Sequence, residues 1–100
     1  MRGISKEAAE AFINGRNFKK SNTVVKDNAM YLFGNKIAWK EKGFTFFSLC
    51  GWDTRTTCDR LSALGIYITH RDSIPYYNGE PIFINKIYMK EDKRREQYVY

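Results

Sequence analysis

The first hydrophobic positions of the chain are spaced as they are on one face of an α-helix. Their spacings of one, three and four residues predict a helix over about residues 6–14. We expect Ser5 to cap this helix and Gly15 to end it, because serine favours the N-cap and glycine favours the position after the C-cap. The apolar face consists of Ala8, Ala9, Phe12 and Ile13.

Beyond this helix the pattern changes to short apolar runs separated by turn residues, which is typical of β-strands. Asn78-Gly79, between aromatic and apolar residues, predicts a two-residue hairpin. Pro75 and Pro81 predict that this hairpin lies at a sheet edge, because proline cannot donate to a β-ladder. The runs as a whole favour an antiparallel meander. The predicted strands cover residues 23–26, 30–33, 37–39, 44–49 and 66–69.

A second helix is predicted over about residues 55–64, where Cys58, Leu61 and Leu64 recur at three-residue intervals. Either Asp53 or Thr54 can accept hydrogen bonds from the first free amides of this helix.

Together these elements predict a single α+β domain. An antiparallel sheet of five to seven strands packs on the second helix, with the first helix at one side. We expect a compact domain over residues 1–84, followed by a charged strand or tail over residues 85–100.

Composition adds two features that the hydrophobic pattern does not contain. Of the 100 residues 16% are aromatic, which is more ring area than one small core can bury, so some rings are expected at the surface. The net charge is +6, and residues 1–26 hold six Lys or Arg against two Glu. A basic excess of this kind favours acidic partners, above all nucleic acid.

The basic excess centres on the connection that follows the first predicted helix. Here cations for phosphate lie beside a ring for base stacking, which is the combination that nucleic-acid surfaces use. The alternative is a solvated connection in which Phe18 anchors the helix to the sheet. The predicted nucleic-acid-binding residues are Arg16, Phe18, Lys19 and Lys20, with Arg55 and Arg60 as secondary candidates.

The sequence contains no recognisable catalytic motif, and we do not expect an enzyme. The candidate nucleophiles are the thiols of Cys50 and Cys58, and the single imidazole is that of His70. A catalytic Cys–His pair would require one of these thiols to lie close to the imidazole in space. Both cysteines are expected to have structural roles, and His70 is expected to lie at the surface. One histidine and two cysteines do not supply four nitrogen and sulfur ligands for zinc, so neither a metal site nor a cofactor is predicted.

The sequence also favours a cytoplasmic location. Two cysteines do not form a disulfide framework, and free thiols are typical of a reducing compartment. Residues 4–13 are interrupted by charges, unlike a signal peptide, and the longest apolar runs are far too short to cross a bilayer. We therefore expect no membrane contact.

Five segments between residues 4 and 83 are distinctive. The most specific is Gly51-Trp52-x-Thr54-x-Thr56-Thr57-x-x-Arg60-Leu61. The others are Ile4-Ser5-Lys6-x-Ala8, Phe18-Lys19-Lys20-Ser21-Asn22-Thr23-x-Val25, Met30-Tyr31-Leu32-Phe33-Gly34-Asn35-x-Ile37-Ala38 and Tyr77-Asn78-Gly79. In these segments the chain resembles a family of small tailed-bacteriophage proteins. The resemblance implies a phage origin and the host-cell cytoplasm as location, and it supplies no catalytic residues.

Two functions follow as expectations. The first is a small basic phage protein that binds, or is associated with, DNA or RNA and has no catalytic activity. The alternative is a protein-interaction module that inhibits a host enzyme or an antiviral defence complex, which the aromatic excess favours. An enzyme that uses Cys50, Cys58 or His70 ranks third.

Overall fold

The computed structural model describes residues 3–90, which form two helices and nine strands. Every strand pair is antiparallel, which confirms the predicted α+β class with two short helices. The helices are α1 (Gly3–Asn14) and α2 (Arg55–Ser62). The strands are β1 (Phe18–Lys20), β2 (Thr23–Lys26), β3 (Ala29–Leu32), β4 (Asn35–Glu41), β5 (Phe44–Phe47), β6 (Ile68–Arg71), β7 (Ile74–Tyr77), β8 (Glu80–Pro81) and β9 (Tyr88–Lys90).

The larger of two sheets has six strands in the order β1-β2-β3-β4-β5-β9. Strands β2 to β5 form the predicted meander, and β1 extends it within the segment that was expected to be a polar connection. Strand β9 then pairs with the free edge of β5, so part of the predicted extension over residues 85–100 belongs to this sheet. Residues 91–100 lie outside the described residues, and the charged tail predicted there stays a prediction.

Within residues 3–90, five hairpins are closed by two-residue turns in which both residues have positive φ. This is the pattern of type I′ turns, whose twist matches the twist of the paired strands. One of these turns begins with Phe33 at φ 53°, a conformation that a bulky residue rarely adopts. The turns are Asp27-Asn28, Phe33-Gly34, Lys42-Gly43, Asp72-Ser73 and Asn78-Gly79.

The smaller sheet has three strands in the order β6-β7-β8, and its second turn is the hairpin predicted at Asn78-Gly79. Pro81 lies on the edge strand β8, as predicted. Pro75 lies on the central strand β7, so the edge prediction is wrong for this residue. The Pro75 carbonyl accepts a hydrogen bond from the amide of Ile82, at 3.0 Å.

The two faces of the six-stranded sheet have different neighbours. Helix α1 packs against β1, β2 and β3, and α2 lies beside α1 while also contacting β4 and β6. We call this face the helix side; α1 covers more of it than predicted. The smaller sheet packs there too, since the rings of Phe47 and Tyr77 meet edge to face at 5.0 Å. We call the opposite face the outer face. The buried core on the helix side includes Ala8, Phe12, Val25, Met30, Leu32, Ala38, Phe47 and Leu61.

The two helices begin with different arrangements. Helix α1 begins at Gly3, so Ser5 lies inside the helix and its side chain is buried, contrary to the predicted cap. Helix α2 is capped by Thr54, whose hydroxyl accepts a hydrogen bond from the amide of Thr57 at 3.2 Å. Asp53, the other candidate for this cap, contacts His70 instead.

Candidate functional site

Aromatic side chains from neighbouring strands share the outer face of the six-stranded sheet. Residues that pair across antiparallel strands point to the same face, and the register pairs Trp39 with both Phe46 and Ala29. Tyr31 follows Ala29 by two residues and therefore points the same way. The rings of Trp39 and Phe46 stack, with centroids 5.9 Å apart and 21° between their planes. Tyr31, Trp39 and Phe46 are all partly open to solvent.

Three exposed lysines surround these rings on the outer face. Lys19 is placed there by its pairing with Val24 of β2. The Lys26 amine lies 5.9 Å from the centroid of the Tyr31 ring, and the Lys36 amine lies 5.0 Å from that of Trp39. Among the described strand residues, one acidic side chain shares this face, that of Glu41. The outer face is therefore aromatic and net positive.

The residues predicted around Phe18 are divided between the two faces. Lys19 lies on the outer face, and Arg16 is exposed just before β1. Phe18 is half-buried against the core, in agreement with the anchoring alternative. Lys20 lies on the helix side, where its amine is 3.8 Å from the Glu7 carboxylate; both side chains are largely exposed. An exposed pair of this kind contributes little to stability.

Arg60 is buried on the helix side, a position that does not fit its predicted contact with nucleic acid. Its Nε donates to the Thr23 hydroxyl at 2.9 Å, and Nη1 donates to the Ser5 hydroxyl at 2.6 Å. Nη2 donates to the Asn22 side-chain oxygen at 3.3 Å, and Asp59 lies 3.6 Å from Nη1. Burial lowers the pKa of Arg60 and Asp59 opposes this shift. Arg60 thus ties α2 to α1 and to the β1–β2 hairpin.

Arg55, the other secondary candidate, is the exposed first residue of α2. Because α2 lies on the helix side, Arg55 and Lys19 are on opposite sides of the sheet. The structure therefore does not bring the six predicted residues together on one surface.

An apolar pocket of about 470 Å³ lies between the turn from β3 to β4 and the start of α2. Buried Leu32, Ile37 and Leu49 line it, and threonine hydroxyls at the start of α2 form part of its wall. Two large rings also line it while remaining open to solvent: Phe33 is 70% exposed and Trp52 is 59% exposed. We call this surface the Phe33–Trp52 pocket.

A third cluster joins the start of α2 to the smaller sheet. The Asp53 carboxylate accepts a hydrogen bond from Nε2 of His70 at 2.8 Å and one from the Cys58 thiol at 3.7 Å. Burial, together with the Asp53 charge and its hydrogen bond, raises the pKa of the Cys58 thiol to about 11. Such a thiol is protonated at neutral pH and is a poor nucleophile, because the thiolate is the reactive form.

Sequence reasoning missed the outer face and this third cluster for different reasons. Predicting the outer face requires the strand register, because its rings are spread over β3, β4 and β5. The available signal in the sequence was the alternation around Val24 and Lys26, which indicates residues on one face of a strand. A zinc site can also include carboxylate oxygen, which the sequence prediction of four nitrogen and sulfur ligands did not consider. The structure places a carboxylate, Asp53, beside the thiol and the imidazole.

Among the described residues, neither helix has the length and apolar character needed to cross a membrane.

Comparisons with curated proteins and with solved structures returned no match. A scan against family models matched residues 1–99 to the Kyanoviridae Gp96 protein model, which extends past both ends of the segments that carry the resemblance to phage proteins. The match covers nearly the whole chain, and the chain therefore belongs to the Kyanoviridae Gp96 protein family, a family of phage proteins.

Proposed function

We propose that this protein binds single-stranded nucleic acid on the outer face of its six-stranded sheet and has no catalytic activity. The observation that carries the proposal is the set of three rings on neighbouring strands, Tyr31, Trp39 and Phe46, on a face that also presents three exposed lysines. Rings of this kind stack with unpaired bases of any sequence, while lysines bind the phosphate backbone. Its site of action would be the host cytoplasm.

A single strand fits this face better than a duplex does. An open sheet offers a broad surface on which splayed bases can stack, and duplex bases already stack on one another. Lys26 and Lys36 lie over rings in the free protein, and their long side chains can swing aside to contact phosphate as a base takes their place. Exposed Arg16 and Lys19 would extend the positive surface toward the β1 edge.

The test is the binding of labelled single-stranded DNA and RNA, and of a duplex, at several salt concentrations. Three phosphate contacts predict a slope of about −2 in log K against log salt. Lys36→Gln should weaken binding. Lys86→Gln is the matched control, because the Lys86 amine also lies over a ring, that of Phe83, at 4.9 Å, outside the six-stranded sheet. Binding whose affinity does not change with salt concentration, or an equal loss of affinity in the two variants, would contradict the proposal.

The second candidate function is protein binding through the Phe33–Trp52 pocket. The specific observation is Phe33 itself, which is 70% exposed and held at φ 53° in a turn where asparagine would be less strained. Neither folding nor solubility favours an exposed phenylalanine there. Backbone strain of this kind clusters at binding sites, and exposed Trp beside an apolar pocket is typical of interface hot spots.

A capture experiment from nuclease-treated host lysate tests this second function. A host partner that contacts the pocket should be retained by the wild-type protein and lost with Trp52→Ala. The outer-face variant Lys36→Gln should keep that partner. If capture disappears on nuclease treatment, or persists with Trp52→Ala, the pocket is not a protein-binding site.

A further inference from the structure

Three side chains able to bind metal converge where the start of α2 meets the edge strand β6. Asp53 comes just before the N-cap of α2, Cys58 lies in the first turns of that helix, and His70 is on β6. One oxygen of Asp53, the Cys58 sulfur and a ring nitrogen of His70 all lie within 4.8 Å of one another. Because His70 comes from a separate element, the fold rather than the local chain sets its distance from Asp53 and Cys58.

The distances suit a small ion. The Asp53 oxygen is 2.8 Å from His70 Nε2 and 3.7 Å from the Cys58 sulfur. Tetrahedral zinc with bonds of about 2.0–2.3 Å separates neighbouring ligand atoms by about 3.2–3.6 Å. These two distances need to change by well under an ångström. The Cys58 sulfur and the His70 ring, which lie within 4.8 Å of one another, would also have to move closer together to surround one ion.

The composition of the cluster indicates which ion it suits. Thiolate, imidazole and carboxylate together favour zinc-like transition metals, whereas Mg²⁺ and Ca²⁺ prefer oxygen ligands alone. A thiolate and a carboxylate would balance a divalent charge. The nearby carboxylate of Asp59 is already engaged, since it accepts a hydrogen bond from Ser5 and faces Arg60. Within residues 3–90, the cluster thus supplies three ligands.

The fourth position would face solvent. The cluster lines a surface cleft of about 570 Å³, to which Arg55 and Tyr67 also contribute. The His70 side chain is 41% exposed and that of Asp53 19% exposed, so an ion reaches the ligands without any opening of the fold. Three protein ligands and one open position is the arrangement of zinc sites that keep a bound water.

We propose that Asp53, Cys58 and His70 form a site for one divalent transition-metal ion of the Zn²⁺ class, with its fourth position open to solvent. The site is separate from the outer face of the large sheet. Bound metal would join α2 to the smaller sheet through coordination bonds, where the metal-free protein has hydrogen bonds. It would displace the thiol proton of Cys58, since cysteine binds metal as the thiolate.

Cobalt(II) is the sharpest probe, because its spectrum reports both ligand type and geometry. The full chain, prepared without a histidine tag, should bind one Co²⁺ and show thiolate-to-cobalt charge transfer in the ultraviolet and intense visible bands from tetrahedral coordination. Excess Zn²⁺ should bleach both signals. Calorimetric titration with Zn²⁺ should give one ion per chain, and Zn²⁺ should raise the midpoint of thermal unfolding.

Variants assign the ligands. Cys58→Ser should abolish the charge-transfer band, whereas Cys50→Ser, which replaces the other cysteine of the chain, should retain it. His70→Gln and Asp53→Asn should each weaken Zn²⁺ binding at least about tenfold, given that even outer-shell partners of a metal site contribute 10- to 100-fold. His70 is exposed, so His70→Gln decides the matter if Cys58→Ser fails to fold. A wild-type protein without the cobalt spectrum, or a spectrum that survives Cys58→Ser or His70→Gln, would overturn the proposal.

Discussion

The two faces of the six-stranded sheet are built from the same strands and differ in what covers them. Phe46 and Phe47 are consecutive residues of β5 that point in opposite directions. Phe47 is fully buried on the helix side, against Tyr77 and Tyr88, whereas Phe46 stacks on Trp39 and stays partly open on the outer face. Packing accounts for Phe47. Phe46 lies instead on the face for which we propose nucleic-acid binding.

Buried Arg60 and the exposed lysines of the outer face show a similar contrast, although Lys20 on the helix side is also exposed. On the helix side, the guanidinium of Arg60 is bonded to neighbouring side chains and has no surface left for a ligand. On the outer face, the lysines lie over rings and remain exposed. A positive side chain in this protein can therefore be assigned a function only after its position in the fold is known.

The largest effect is expected from Phe47→Ala. Removing a fully buried ring leaves a cavity, so we expect a loss of about 3–5 kcal/mol in the free energy of unfolding. Chemical denaturation monitored by circular dichroism measures it. The loss should be far larger than that of Phe46→Ala one residue earlier. Similar losses at the two positions would remove the distinction between the faces.

Arg60→Met should have the next largest effect on stability. Its removal leaves the Ser5 and Thr23 side chains buried without their donor, and Asp59 loses a nearby positive charge. We expect a loss of about 3 kcal/mol. Arg55→Met, at the exposed start of the same helix, is the control and should change stability by less than about 0.5 kcal/mol. Equal effects would mean that the buried network contributes nothing measurable.

Phe46→Ala should separate binding from stability. The variant loses a partly exposed ring and its stacking on Trp39, with an expected cost of about 1 kcal/mol in unfolding free energy. Binding of single-stranded nucleic acid should weaken by about 1–3 kcal/mol, because one stacking position is lost. Anisotropy of a labelled oligonucleotide measures this. Full affinity in a folded Phe46→Ala protein would leave the outer face without its proposed role.

Phe33→Asn should produce the smallest change in stability, and one of opposite sign. Asparagine before Gly34 suits a turn with positive φ at both residues, so we expect a gain of about 0.5 kcal/mol. Nucleic-acid binding on the outer face should not change, while capture of a protein partner by the Phe33–Trp52 pocket should fall. A loss of stability would show that Phe33 serves the fold.

The sequence was sufficient for the fold class, both helices and several hairpins, and insufficient for the division into two sheets and for the sites. Turn residues such as Asn78-Gly79 act locally, so they located hairpins correctly, and helical spacing located both helices. The surfaces depend on pairing between distant strands and on where helices dock. Arg60 and Lys19 look equally cationic in sequence, yet only register and packing place one in the interior and the other on the outer face. The sequence likewise does not indicate that β9 pairs with β5, about forty residues before it in the chain.

The position of β9 also has a consequence for the order of folding. Strands β1 to β5 are joined by tight turns, so their pairing closes only short loops and should be fast. The partner of β5 on its other side arrives about forty residues later, after α2 and the smaller sheet. During synthesis the edge of β5 therefore stays unpaired while residues 48–87 emerge, and an unpaired edge invites association with other chains. Hydrogen exchange pulsed during refolding should show amide protection in β3 and β4 before protection in β9.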